Sequence, residues 1–295
     1  MNGKWKGYLA GIVAAVAYGT NPLGALFLYE EGLNPASVIF YRFTLAVATL
    51  FVILKIQRVS LKLTAKELKL LVSLGVIFAA SALTLYSSFK HIDSGIASTI
   101  LFAYPVMVAV IMALFFKERT TIGTVLSIVL SLAGIVLLYQ GDGTGRLSTL
   151  GVILVLVSAL TYAVYIVIVN QTGIKMPPFK MTFYIMLFAT VTTALFSLVS
   201  PENHLMAVPT WSAAGWVLML ALVPTIVAMT FLNIGIAKAG STPTAIMGAL
   251  EPATAVLISI AVFGSVFTLR LGVGIALILG SVLILVLSKA GKSGQ

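Results

Sequence analysis

The stretch GSTPTAIMGALEPATAVLISIAVF, residues 240–263, decides how the rest of this chain is read. It is apolar over a length sufficient to cross a bilayer, since about 20 residues at roughly 1.5 Å each span the hydrocarbon core. Near its middle stands Glu251, the only carboxylate inside any hydrophobic segment of the protein. An acid at the centre of a bilayer costs about 2.5–3.5 kcal/mol even on insertion scales, so its presence points to function. Pro252 follows directly. It removes a backbone donor and clashes with the preceding turn, which predicts a kink inside the helix. At helical spacing Thr244, Gly248, Glu251, Ala255 and Ser259 share one small or polar face. That face is expected to meet protein or water, and the opposite one lipid.

Working outward, nine further apolar runs flank this one, giving ten in all: 6–29, 36–56, 68–90, 94–116, 122–140, 149–170, 181–200, 212–236, 243–266 and 269–288. The 295 residues are 60% hydrophobic and 9% charged, against roughly 25% charged in a soluble domain. No loop between the runs is long enough for a soluble domain, so a soluble enzyme is excluded. Gly and Pro within several runs fit packed, sometimes broken, membrane helices. The expected fold is an all-α polytopic membrane protein with ten transmembrane helices. Lys4 and Lys6 at the start of the first run resemble a signal-peptide start, but the run exceeds a signal h-region and a matching segment recurs in mid-chain, so it is read as retained structure.

The charges orient the runs. With the N-terminus in the cytosol, Lys4, Lys6, Lys55, Arg58, Lys62, Lys66, Lys69, Lys117, Arg119, Lys175, Lys180, Lys238, Lys289 and Lys292 lie inside. Lys90, Arg146 and Arg270 lie outside, and Arg42 completes the 18 basic residues. Fourteen against three places both termini in the cytosol and accounts for the net charge of +10 without nucleic acid. Glu30, Glu31, Asp93, Asp142 and Glu202 fall on outer loops. The absence of cysteine removes disulfides, thiolate metal sites and cysteine nucleophiles.

The chain also repeats itself. Gly7 to Tyr18 and Gly151 to Tyr162 open two halves at the same spacing, and Pro35 to Tyr41 matches Pro178 to Tyr184. Ala103-Tyr104-Pro105 falls opposite Leu250-Glu251-Pro252. Five helices per half, over 7–140 and 149–288, make the second half enter the membrane from the other side, an inverted repeat of the kind secondary transporters use. The Gly141-Asp142-Gly143-Thr144-Gly145 loop is the seam.

These residues resemble the drug/metabolite transporter superfamily, specifically its EamA-type bacterial permeases. Tyr18-Gly19-Thr20-Asn21 looks like the family's Trp-Gly-Ser-Asn stretch in the first helix, and Tyr41-Arg42-Phe43 like its Arg-Phe signature in the second. Pro105 followed by Phe116-Lys117-Glu118-Arg119 resembles the end of its fourth helix, and Leu250-Glu251-Pro252 its ninth-helix motif. The likeness covers about residues 7–288 and implies ten helices in two inverted five-helix repeats. It also implies export of an amino acid, another metabolite or a drug-like molecule. One departure stands out: the family usually has Gly-Glu after the ninth helix, and here Ser265 follows Gly264.

Embedded polar residues mark the expected substrate pathway. In the first helix Ala14, Tyr18, Asn21 and Ala25 share a face beside Pro22. In the sixth, Ser158, Tyr162 and Tyr165 do the same. With Tyr41, Arg42, Tyr86, Tyr104, Tyr184, Asn233, Gly248 and Glu251 they outline a central cavity rich in tyrosine, suited to stacking on aromatic or cationic ligands. The competing reading is that each tyrosine merely packs between helices. Arg42 either snorkels to the outer surface, pairs with a substrate carboxylate, or pairs with Glu251. Trp5 and Trp211 read as interfacial anchors. His91 and His204 lie far apart on outer loops, so no metal site is expected. Lys117-Glu118-Arg119 reads as a loop ion-pair cluster.

Without a Walker, kinase or hydrolase motif, energy is expected from a gradient. No cofactor and no catalytic residue is assigned. The leading reading is a monomeric secondary transporter in a bacterial cytoplasmic membrane, moving a small organic solute by alternating access. Its partners are substrate, lipid bilayer and protons, with Glu251 as the proton-coupling group. The alternatives are an intramembrane enzyme using Glu251 as acid or base, and a transporter of organic phosphates or nucleotide sugars.

Overall fold

Short polar side chains open several of the spans by accepting the first free N–H groups of the helix, which have no carbonyl a turn earlier to bond. Asn34 Oδ1 accepts from Ser37 N at 2.8 Å ahead of Pro35, and Asp93 Oδ1 accepts from Gly95 N at 2.8 Å and Ile96 N at 3.1 Å. Thr64 and Glu67 form a reciprocal capping box, and Thr210 Oγ1 accepts from Ala213 N at 2.9 Å. The computed structural model describes residues 3–117, 122–139, 147–172, 176–239, 247–248 and 250–290. The glycine-rich seam, Glu118, Arg119 and Thr244 lie outside them.

The first span comprises α1 (Gly3–Gly19) and α2 (Asn21–Glu30), the second α3 (Pro35–Ile56) and the third α4 (Ala65–Ser88). The fourth comprises α5 (Ser94–Leu101) and α6 (Tyr104–Phe116). The fifth is α7 (Ile122–Tyr139), the sixth α8 (Thr149–Thr172) and the seventh α9 (Pro178–Val199). The eighth runs through α10 (Trp211–Ala221), a π-helical turn (Leu222–Val227) and α11 (Ala228–Ala239). α12 (Leu250–Phe263) belongs to the ninth span and α13 (Leu269–Ala290) is the tenth. Seven spans are long and apolar enough to cross a membrane, and shorter apolar helices lie in the remaining three. The protein is a multi-pass, all-α membrane protein of ten helical spans.

The expected kink inside the ninth helix is corrected. α12 begins at Leu250, so Pro252 sits in its first turn, where the missing N–H forfeits no helical hydrogen bond. The same solution recurs at Pro22, in the first turn of α2, and at Pro105, in the first turn of α6. Three spans are thus interrupted ahead of a proline. The sixth span, which has no proline, runs unbroken although its counterpart in the first half is interrupted.

Packing between spans follows the repeat. The first span packs most heavily on the eighth, and its image is the contact of the sixth with the third. The second packs on the seventh, the fourth on the ninth and the fifth on the tenth, each pair being its own image when the halves are exchanged. Five crossings per half reverse the direction of the second. Small residues permit this closeness: a Cβ on Gly24 would lie 2.6 Å from Leu220 Cγ, and one on Gly134 2.9 Å from the Gly274 carbonyl oxygen. The outward surface carries Ile122, Leu198 and Leu269, each more than four-fifths exposed, as lipid-facing side chains are.

At the end of the bundle bearing Asp93 and residues 264–268, the fourth and ninth spans are tied together. Ser94 Oγ lies 2.9 Å from Ser259 Oγ, and Gly95 N donates to Ser259 Oγ at 3.0 Å. Gly264, at φ +69°, reverses the chain after α12, so that the Ser265 hydroxyl donates to Asp93 Oδ2. The serine that departs from the family pattern therefore bonds an acid supplied by the other half.

Candidate functional site

The breaks converge on one place. A cavity of about 670 Å³ lies between the halves, lined by Tyr18 and Asn21 at the first-span break and by Phe102, Tyr104 and Pro105 at the fourth-span break. Pro224 and Thr225 of the π turn, and Gly248 and Glu251 of the ninth span, complete it together with Arg42, Tyr86, Phe78, Ser81, Tyr162, Tyr165 and Thr182. Non-helical backbone at membrane depth is tolerated where it borders such a cavity, which is why proline-led breaks and the cavity coincide.

Arg42 is fixed at one side. Its Nη1 donates to the Tyr86 hydroxyl at 2.6 Å and its Nε to Thr225 Oγ1 at 3.0 Å. The Tyr86 hydroxyl donates to Asn21 Oδ1 at 3.3 Å, and Asn21 Nδ2 to the Tyr18 carbonyl at 2.9 Å. Arg42 is only 8% exposed, so it does not snorkel, and it forms no ion pair with Glu251. The guanidinium carbon also lies 5.8 Å from the Tyr86 ring centroid and 5.9 Å from that of Phe43.

Aromatic rings build the wall. Tyr104 meets Tyr162 edge-on at 4.8 Å, Tyr162 stacks parallel to Tyr165 at 5.8 Å, and Tyr165 packs on Phe78 at 5.5 Å. The hydroxyls of Tyr18, Tyr104, Tyr162 and Tyr165 have no hydrogen-bond partner among the described residues, and no described side-chain polar atom that is fully buried lacks one. These hydroxyls therefore open onto the cavity. The Glu251 carboxyl is in the same position, its backbone N–H alone bonding back to the Gly248 carbonyl at 3.0 Å.

Of the residues expected at the site, Tyr18, Asn21, Arg42, Tyr86, Tyr104, Tyr162, Tyr165, Gly248 and Glu251 come together around the cavity. Tyr41 does not: it follows the other face of α3, and its hydroxyl donates to the Met206 carbonyl at 2.9 Å. Tyr184 is also elsewhere, donating to the Leu61 carbonyl. The side chain of Asn233 lies outside the described residues. Ser158 ties spans rather than lining the cavity, its Oγ 3.1 Å from that of Ser81. Phe78, Phe102, Thr182 and Thr225 are additions. The Val223-Pro224 step within an apolar run signalled Thr225, because the other mid-run prolines, Pro22, Pro105 and Pro252, also mark cavity-side breaks.

Comparison with known proteins agrees with this architecture. A solved crystal structure aligns over 97% of this chain and 98% of its own, with a TM-score of 0.70 and 20% identity, a likeness of fold. An uncharacterized transporter of Archaeoglobus fulgidus is 26% identical over 278 residues, covering 94% of this chain and 95% of that relative. One from Synechocystis sp. is 29% identical over 212 residues, 71% of this chain and 64% of that relative. The model of the EamA-like transporter family matches twice, at residues 5–140 and 149–287. With two matched repeats, ten helical spans and one cavity where their breaks meet, the chain belongs to the EamA-like transporter family.

Proposed function

We propose that the protein is a secondary transporter that exports a small organic metabolite, such as an amino acid or an amphipathic, drug-like compound. It works as a monomer in a bacterial cytoplasmic membrane by alternating access, exchanging solute for protons. The observation carrying this reading is the cavity between the halves, walled by tyrosines whose hydroxyls are free to bond a solute and holding a carboxyl without a partner among the described residues. Such groups are costly inside a membrane unless something passing through uses them. Binding of a metabolite panel to purified protein is expected to raise its thermal stability for the true substrate, which binds the folded state alone. That same compound must then exchange across proteoliposomes. A panel member that stabilises the protein but never crosses the membrane counts against transport.

Orientation has its own test, made clean by the absence of cysteine. Ser60→Cys and Ser288→Cys are expected to react with an impermeant thiol reagent only from the cytosol, and Gly143→Cys only from outside. Cytosolic labelling of Gly143→Cys would break the five-plus-five arrangement.

A further inference from the structure

Two connecting segments are bound, at opposite ends of the bundle, by the same pair of helices. Residues 57–64 lead from α3 into α4, and residues 200–210 from α9 into α10. Both run without α-helix, so side chains supply partners for their carbonyls. Near the start of α9 the Tyr184 hydroxyl donates to the Leu61 carbonyl, and the buried Lys180 ammonium to the Lys62 carbonyl at 2.7 Å. A cation in the first turn of a helix opposes the macrodipole, so the place of Lys180 serves this bond and not the helix. Near the start of α3 the Tyr41 hydroxyl donates to the Met206 carbonyl at 2.9 Å and Asn34 Nδ2 to the His204 carbonyl at 2.7 Å. Ser37 Oγ accepts from Met206 N at 2.9 Å. The two sets are repeat images: Tyr41 and Tyr184 stand six residues after the proline that opens their helix, Ser37 and Lys180 two. The segment leaving α3 is therefore held by α9, and the segment leaving α9 by α3. An antiparallel pair is strapped at both ends.

Apolar packing reinforces the straps. Val59 and Leu61 pack on Leu50, Leu54 and Phe183, the cluster joining α3 to α9, while Arg58, Ser60 and Lys62 stay exposed. Each strap runs straight into the next span. α9 packs on the strapped half of α4 through Leu71, Leu74 and Ile185, and α3 packs more on α10, the strapped half of the eighth span, than on α11. The far halves turn elsewhere: Ser81 of α4 meets Ser158 of α8, and α11 packs on α1.

Deepening the transport reading, on whose alternating access it rests, we propose that α3, α9 and the two straps form one pivot, joined at both ends throughout the cycle. The third span swings from it about the end at Thr64, and the eighth about the end at Thr210. Their free ends lie at opposite faces of the bundle, so each swing opens one face only. Tyr41 and Tyr184, which do not line the cavity, are the ties that keep the pivot whole.

The test measures distances between pairs of nitroxide spin labels on the full chain in liposomes, at acidic and at alkaline pH. Ser60→Cys with Pro178→Cys and Thr44→Cys with Ala207→Cys read the two straps, all four positions being exposed. Pro178 lies in the first turn of α9, where a cysteine disturbs no helical hydrogen bond. Ser60→Cys with Lys238→Cys reads the free end of the eighth span, and Ala207→Cys with Lys90→Cys that of the third. The strap pairs are expected to give one narrow distance under both conditions. The free-end pairs should give two populations whose ratios shift in opposite senses. Lys180→Met combined with Tyr184→Phe should broaden the Ser60–Pro178 distance and leave the Thr44–Ala207 distance narrow. Should that combination fail to fold, Tyr184→Phe alone is read in the same way. A strap pair that splits in step with the free ends overturns the pivot, as do free ends that stay as still as the straps. An unbroadened distance in the tie variant overturns the role given to these side chains. A fifth pair, Lys90→Cys with Val266→Cys across the fourth and ninth spans, separates the two readings. If it changes while the free ends stay still, access alternates without this pivot. If it stays still with them, alternating access falls as well.

Discussion

Reconstituted Glu251→Gln is expected to lose pH-driven accumulation of substrate entirely while still exchanging it downhill at raised concentration. Glutamine keeps the shape and hydrogen-bonding capacity of the carboxyl but has no proton to release. One pH unit across the membrane corresponds to about 1.4 kcal/mol, so a one-for-one exchange sustains about tenfold accumulation on the acidic side. The variant should sustain none. A carboxyl that served only to hold the broken backbone beside Pro252 would give an unchanged pH profile, yet the Glu251 side chain bonds no described backbone group. Accumulation by Glu251→Gln driven by a pH difference alone removes Glu251 as the coupling group.

The paired variant Ser94→Cys with Ser259→Cys should oxidise readily and stop transport, with recovery on reduction. The two hydroxyl oxygens lie 2.9 Å apart, and a disulfide needs about 2.05 Å between sulfurs. No other cysteine competes. The bond would join the fourth and ninth spans at the end where Ser265 already reaches Asp93, in the state described above. If access alternates, that end must open for solute to leave, and a covalent tie forbids it. Each single variant is expected to transport with or without oxidant, since neither side chain borders the cavity. Undiminished transport by the fully oxidised pair means that this end never has to part.

Sequence alone revealed the fold because bilayer thickness and hydrophobicity dictate the spans, and because matched spacings such as Gly7 to Tyr18 and Gly151 to Tyr162 exposed the repeat. The polar faces were legible for the same reason: Tyr18, Tyr162 and Glu251 are too costly to face lipid. What escaped depends on partners distant in the chain. Tyr41 and Arg42 are neighbours with opposite fates, one reaching the Met206 carbonyl and the other Tyr86, and no local pattern distinguishes them. Thr225 escaped face assignment because the π turn's extra residue shifts the helical phase, although Pro224 beside it marked the place. A proline in an apolar run likewise reads equally well as a kink or as a fresh helix start, and around Pro252 the second is found.

The exchange of contacts between halves has an energetic meaning. When the joint between the first and eighth spans and the joint between the third and sixth are images of each other, opening one while tightening the other rebuilds a similar inventory of contacts facing the opposite way. If access alternates in this way, most of the free energy of packing cancels between the two end states. Only the mismatches between corresponding positions remain, among them Ser265, which stands where Glu118 stands in the first half. An equilibrium left so close to level responds to small pushes: about 1.4 kcal/mol of preferential binding shifts the two populations tenfold. If access alternates, a few hydrogen bonds to a solute that one arrangement makes and the other lacks would be enough to turn such a molecule over.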